Sequence, residues 1–280
     1  MIIWLASYPK SGNTWVRSMV SSLLYSNDGN FNFELMLKVS QFPEKKYFKD
    51  FVNDFGNFNE IKESWILAQD KINLDNQIKI LKTHQGKYTV DKNSFTNDQN
   101  TLATIYIVRD PRTLITSISN HYTLSIDGAC DFLTTPQIIG NTKKWEDKET
   151  GMQCLLGKWS DHYRSWTRNK NNLLLIKYED LIQNPENEFK KIIYFLKKFI
   201  EIKTDDSKNK KILETTSFEN LKKMEQKGLF KENVLNKKDD SKVNFFHLGP
   251  ANNWKNNINE NAKNKIEKNF YDEMKELKYL

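Results

Sequence analysis

Residues 1–15 read Met1-Ile2-Ile3-Trp4-Leu5-Ala6-Ser7-Tyr8-Pro9-Lys10-Ser11-Gly12-Asn13-Thr14-Trp15. An apolar run of strand type, Ile2 to Ala6, leads into a short loop from Ser7 to Asn13 that carries one Lys and one Gly. Apolar residues then recur at Val16, Met19, Val20, Leu23 and Leu24. That i, i+3, i+4, i+7, i+8 spacing predicts a helix with one buried face. A strand, a tight loop and a helix N-terminus make an anion site, because backbone N–H groups and the positive end of the helix dipole converge there. Lys10 adds a full charge, while Ser11 and Thr14 add hydroxyl donors. The loop reads as a site for a phosphate or a sulfate.

Three further runs of strand type follow, at 78–82, 104–108 and 173–178, each separated from the last by helix-length material. This order predicts an α/β fold, a central parallel sheet flanked by helices, in one domain spanning 1–280. Ligands of such sheets bind at the carboxyl ends of the strands, so the chemistry is expected just after each run. The apolar-poor stretches 204–211 and 236–242 read as solvated loops. The aromatic-rich segment 31–65 reads as a mixture of core and acceptor-pocket lining.

The chain has 43 basic and 36 acidic residues, a net charge of +7. That balance suits anionic ligands. Only five of the basic residues are Arg, which gives little support to nucleic-acid recognition. Cys130 and Cys154 offer neither a disulfide framework nor a metal-ligand spacing, and no metal is expected. A reduced, cytoplasmic setting follows. No run approaches the roughly 20 apolar residues that a membrane span needs, and the first residues lack the pattern of a signal peptide.

The loop is not that of an ATP or GTP site, G-x-x-x-x-G-K-[ST], because Asn13 stands where that Lys would be. Tyr8-Pro9-Lys10-Ser11-Gly12-Asn13-Thr14-Trp15 instead closely resembles the Y-P-K-S-G-T-T-W loop of the soluble sulfotransferases. In that family the loop holds the 5′-phosphosulfate of 3′-phosphoadenosine 5′-phosphosulfate (PAPS). Asn13 replaces the first Thr, an amide that can still donate.

The later motifs extend the resemblance. Lys82-Thr83-His84 is similar to the family's K-T-H element, which implies His84 as general base. Such a base suits transfer to a hydroxyl, since an imidazole near pKa 6.5 can take the proton as the O–S bond forms. Lys82 then places charge on the transferring oxygens and Lys10 on the bridging ones. Arg109-Asp110-Pro111-Arg112, with Ser117 further on, matches R-(D/N)-P-(R/K)-x-x-x-x-S, implying that Arg109 and Ser117 bind the 3′-phosphate. Tyr178-Glu179-Asp180 and Thr215-Thr216-Ser217-Phe218-Glu219 resemble the elements whose Tyr, Thr and Phe hold the adenine, here Tyr178, Thr216 and Phe218. Trp15 would stack on the same ring.

The last motif is altered. Phe245 to Asn256 aligns on F-x-R-K-G-x-x-G-D-W-K-N, keeping Gly249, Trp254, Lys255 and Asn256. Its Arg-Lys pair, which grips the 3′-phosphate in the family, has become His247-Leu248, and its G-D has become Asn252-Asn253. Either another cation substitutes, with His247, Lys242 and Lys255 as candidates, or PAPS binds more weakly. The resemblance implies a P-loop-kinase-like sulfotransferase fold and transfer from PAPS, bound also by Gly249, to an acceptor hydroxyl or amine. A nucleotide-binding protein with reduced or no transfer activity, and an ATP-dependent kinase, are the alternatives.

Overall fold

Every residue of the first predicted strand is buried, Ile2 to Ala6 having no exposed surface at all, as an interior strand covered on both faces requires. The computed structural model of the protein describes residues 1–140, 152–230, 232, 234–235 and 242–280. The central sheet has four strands, β1 (Ile2–Ser7), β2 (Lys79–Thr83), β3 (Thr101–Val108) and β4 (Leu173–Lys177), in the order β2-β1-β3-β4. Strand β1 runs parallel to both neighbours, pairing Trp4 with Leu81 and with Thr104.

The chain forms two compact units. The first comprises 1–8, 39–107 and 136–175, the second 9–38, 108–135 and 176–280. In the first, Trp4 packs against Phe42, Phe95 and Trp166 and donates its indole N–H to Thr101 Oγ1 at 2.9 Å. In the second, Phe31, Met36, Leu221, Phe230 and Phe246 form a buried cluster. The aromatic segment 31–65 supplies core to both: Phe31, Phe42, Phe48 and Trp65 are buried, and the remainder are half-buried.

Helix α1 (Asn13–Tyr25) forms where the spacing predicts it, but it is buried on more than one face. Ser18, Ser21 and Ser22 are as buried as Val16, Met19 and Val20. Small side chains permit close approach on that side, and two hydroxyls are satisfied within the helix, Ser18 Oγ on Trp15 O and Ser21 Oγ on Ser18 O. Residues 204–211 are not a loop. Asp205 caps a helix, Asp206–Thr215, by accepting the Lys208 N–H at 2.8 Å, and Ile212 alone is its buried anchor. Two adjacent apolar residues, Ile212 and Leu213, in about three turns are too few for a periodic signal. Of the stretch 236–242, residues 236–241 lie outside the described residues, as do 141–151. Lys242 starts a two-residue strand, Lys242–Val243, paired with Val234–Leu235.

Candidate functional site

The loop between β1 and α1 turns through two left-handed residues, Lys10 at φ 66° and Gly12 at φ 100°. Position 12 admits only glycine, since a Cβ there would lie 2.6 Å from Tyr178 Cδ2. Gly12 is the N-cap of α1 and has no side chain to satisfy the first-turn N–H groups, which suits an anionic cap from outside the chain. The Ser11 hydroxyl and the Trp15 indole N–H are buried without a hydrogen-bond partner. An unmade bond of that kind costs about 1–3 kcal/mol, and a phosphate oxygen would supply it. The residues fit the group that the loop was read to hold.

Arg109, Trp15 and Tyr178, which the resemblance assigns to the nucleotide, meet at this turn. Arg109 ends strand β3's run and is buried; its guanidinium lies 4.1 Å over the Tyr178 ring, with Nη1 on Lys10 O at 3.1 Å and Nε on Thr113 Oγ1 at 3.0 Å. It thereby ties the loop to helix α2 (Pro111–Tyr122), which Asp110 caps through the Arg112 N–H and which Pro111 opens. Trp15 meets Tyr178 edge to face at 6.1 Å. Trp15 and Phe218 both pack on the Phe31 cluster, and Gly249 lies against the Phe218 ring so closely that a Cβ would come within 2.2 Å. Thr216 is buried with its hydroxyl proton committed to Ile212 O, so it can offer a ligand only lone pairs. Tyr178 is the first residue of a helix, Tyr178–Gln183, rather than the end of a strand.

The altered segment is held firmly by other means. The buried Glu225 carboxylate accepts the backbone N–H groups of Phe245 and Phe246 at 2.7 and 3.0 Å. Lys10 Nζ sits 3.5 Å above the Phe245 ring centroid and 3.4 Å from its carbonyl oxygen. Asn252, where the family has Gly, bonds helix α2 three ways: it accepts from Thr116 Oγ1 at 2.9 Å and donates to Thr113 O at 2.9 Å and to Ser117 Oγ at 3.4 Å.

Burial and the charges of Lys222 and Lys10 push the His247 imidazole below its ordinary value. Both causes disfavour its cationic form. Lys222, which the motif reading missed, places Nζ 3.4 Å from the His247 carbonyl oxygen. The available signal was its position four residues after Phe218, on the same helix face.

Lys82 and His84 belong to the first unit. Lys82 is buried and donates to Gln41 Oε1 at 2.8 Å. His84 follows β2 directly, and its Nδ1 lies 2.8 Å from the Ser7 carbonyl oxygen and 3.3 Å from Ser7 Oγ. A carbonyl only accepts, so Nδ1 carries the hydrogen and the basic lone pair of the neutral ring is on Nε2. Among the described residues, no group of three or more His, Cys, Asp or Glu could hold a metal, and no helix is long and apolar enough to cross a membrane.

The family model described as sulfotransferase domain matches residues 2–278. The chain belongs to the sulfotransferase domain family. Relatives include mouse sulfotransferase 1B1, 27% identical over 91% of this chain and 76% of that protein, and mouse sulfotransferase 1 family member D1, 26% identical over 98% and 83%. Human sulfotransferase 1E1 is 24% identical over 97% and 83%. Among solved structures, the mouse sulfotransferase SULT7A1 complexed with PAP superposes with a TM-score of 0.59 at 21% identity, covering 98% of this chain and 84% of that one. A retinol dehydratase in complex with androsterone and PAP gives 0.61 at 17%, covering 98% and 80%. These likenesses show the fold, the P-loop-kinase-like sulfotransferase architecture with its central parallel sheet.

Proposed function

We propose that this sulfotransferase moves a sulfuryl group from PAPS to an acceptor hydroxyl or amine by direct in-line transfer, with residues 1–280 acting as one domain. The observation that carries the reading is the Lys10–Gly12 turn, with its buried, unpaired Ser11 hydroxyl, in a chain of this family. His84 Nε2 takes the acceptor proton as the new bond to sulfur forms and the bond from sulfur to the bridging phosphate oxygen breaks. Lys82 stabilises the sulfuryl oxygens and Lys10 the bridging and leaving oxygens. Ser11, Gly12, Asn13 and Thr14 hold the 5′-phosphate, Arg109 and Ser117 the 3′-phosphate, and Trp15, Tyr178, Thr216, Phe218 and Gly249 the adenosine end.

Lys222 takes over the charge that the Arg-Lys pair supplies elsewhere in the family, because it contacts the same backbone segment and the cationic form of His247 is disfavoured. No metal takes part, and the setting is cytoplasmic.

Calorimetric titration with 3′-phosphoadenosine 5′-phosphate (PAP) beside MgATP tests the nucleotide. Tight PAP binding is expected, and preference for MgATP would overturn the reading in favour of a kinase. Transfer of radiolabelled sulfate from PAPS to a panel of phenols, alcohols and amines tests the reaction. Binding of PAP with no transfer to any of them would make the chain a nucleotide-binding protein.

A further inference from the structure

Helix α3 (Trp159–Thr167) carries two aromatic N–H donors one turn apart, His162 and Trp166, on the same face. They meet consecutive carbonyls just beyond strand β2: His162 Nε2 lies 3.0 Å from His84 O, and Trp166 Nε1 lies 3.0 Å from Gln85 O. Both nitrogens must carry hydrogen, since carbonyl oxygens only accept. His162 Nδ1 is then the acceptor of the neutral ring, and Tyr106 Oη, 2.8 Å away, donates to it. The Tyr106 hydroxyl in turn receives the backbone N–H of Tyr8.

The His84 ring closes the path by donating Nδ1–H to Ser7, the residue next to Tyr8. The bonds thus form a circuit through Tyr8, Tyr106, His162, His84 and Ser7. It joins the ends of β1 and β2, and both Tyr106 and His162 are buried. Burial pushes the His162 imidazole down to about 4, which keeps it neutral at physiological pH, and the His84 carbonyl and the Tyr106 hydroxyl fix its tautomer.

We propose that His162 is a positioning residue for His84. By holding the His84 carbonyl, it fixes the peptide from which the imidazole projects, so that Nδ1–H stays on Ser7 O and the lone pair stays on Nε2. The proposal rests on His84 as the general base. Deep burial, a fully used pair of ring nitrogens and the closed path distinguish His162 from a core histidine that merely finds partners.

The test is ¹⁵N NMR of the His84 imidazole in the full chain with PAP bound, together with steady-state transfer from PAPS to 4-nitrophenol. In the wild type His84 should show a single tautomer, protonated at Nδ1. His162→Phe should mix the tautomers and lower kcat by about 10- to 100-fold, the range expected when a reacting group is displaced by an ångström or less, with PAP affinity unchanged. His162→Gln, whose amide N–H can reach the His84 carbonyl, should restore the tautomer and bring kcat within about threefold of wild type. If His162→Phe does not fold, Tyr106→Phe removes one oxygen only and should mix the tautomers to a lesser degree.

A wild-type His84 spectrum in His162→Phe, or in Tyr106→Phe where the former is insoluble, overturns the proposal whatever the kinetics. A wild type that does not bind PAP, or His84→Ala with undiminished kcat, refutes the proposed function instead and leaves the tautomer result standing on its own.

Discussion

Acidification should destabilise this protein through one buried side chain, His162. His162 has no exposed surface, and burial lowers its imidazole from 6.5 to about 4. Below pH 6.5 the unfolded chain binds a proton there, whereas the folded chain binds one only below about 4. Between those values the unfolded state holds the extra proton, so stability is complete above 6.5 and is lost as pH falls towards 4. At about 1.4 kcal/mol per pH unit, the loss reaches about 1 kcal/mol at pH 5.5 and about 3 kcal/mol near pH 4.

Two other groups titrate in the same window. His247, also lowered, adds to the slope, while Glu179, raised by burial, opposes it because its folded form keeps a proton longer than the unfolded one. The difference between wild type and His162→Gln cancels both. Urea unfolding of the two proteins at pH 7.5, 6.5, 5.5 and 4.5 measures it. The stability of the wild type relative to the variant should fall by between about 2 and 3 kcal/mol from pH 7.5 to 4.5. Parallel curves across that range would mean that His162 is not held neutral, and the reasoning from its burial would be wrong.

His84→Ala should lower turnover by two or more orders of magnitude with PAP affinity nearly unchanged in a calorimetric titration, and retained turnover would remove His84 as the base. Lys10→Ala should weaken PAP binding and slow transfer together, so a variant normal in both would count against the loop. Gly12→Ala places a Cβ 2.6 Å from the Tyr178 ring in a left-handed position; a loss of about 1–3 kcal/mol is expected in urea unfolding, with PAP binding impaired. Lys222→Ala should weaken PAP by about tenfold, the value of one lost charged contact, and leave AMP unchanged. An equal loss for both nucleotides would place Lys222 away from the 3′-phosphate.

Much of this was open to reading along the chain, for a physical reason. The strands of an interior parallel sheet are short, continuous apolar runs, and ligand groups follow their carboxyl ends within a few residues. Lys10, His84, Arg109 and Tyr178 all stand just after such runs, and the four strands lie within a few residues of where the runs predict them. The same local logic fails for the helix at 206–215, where a capping Asp205 and a lone Ile212 do what an apolar stripe does elsewhere. It also fails for α1, whose serines are buried because of what packs on them.

The chain's order of residues was sufficient for the sheet, the turn after its first strand and the family, since each is a short-range pattern in which a residue type and its neighbours carry the physics. Tertiary structure alone decided on which ring nitrogens of His84 and His162 the hydrogen sits. Residue 162 is 78 positions from residue 84, and nothing in its own helix indicates that its N–H ends on the carbonyl of His84. His247 is a cation candidate by composition, and its environment disfavours that form through partial burial and the charges of Lys222 and Lys10. Hydrogen-bond direction and charge state depend on contacts made across folded space, and the anion loop at Lys10 is legible early only because its own contacts are local.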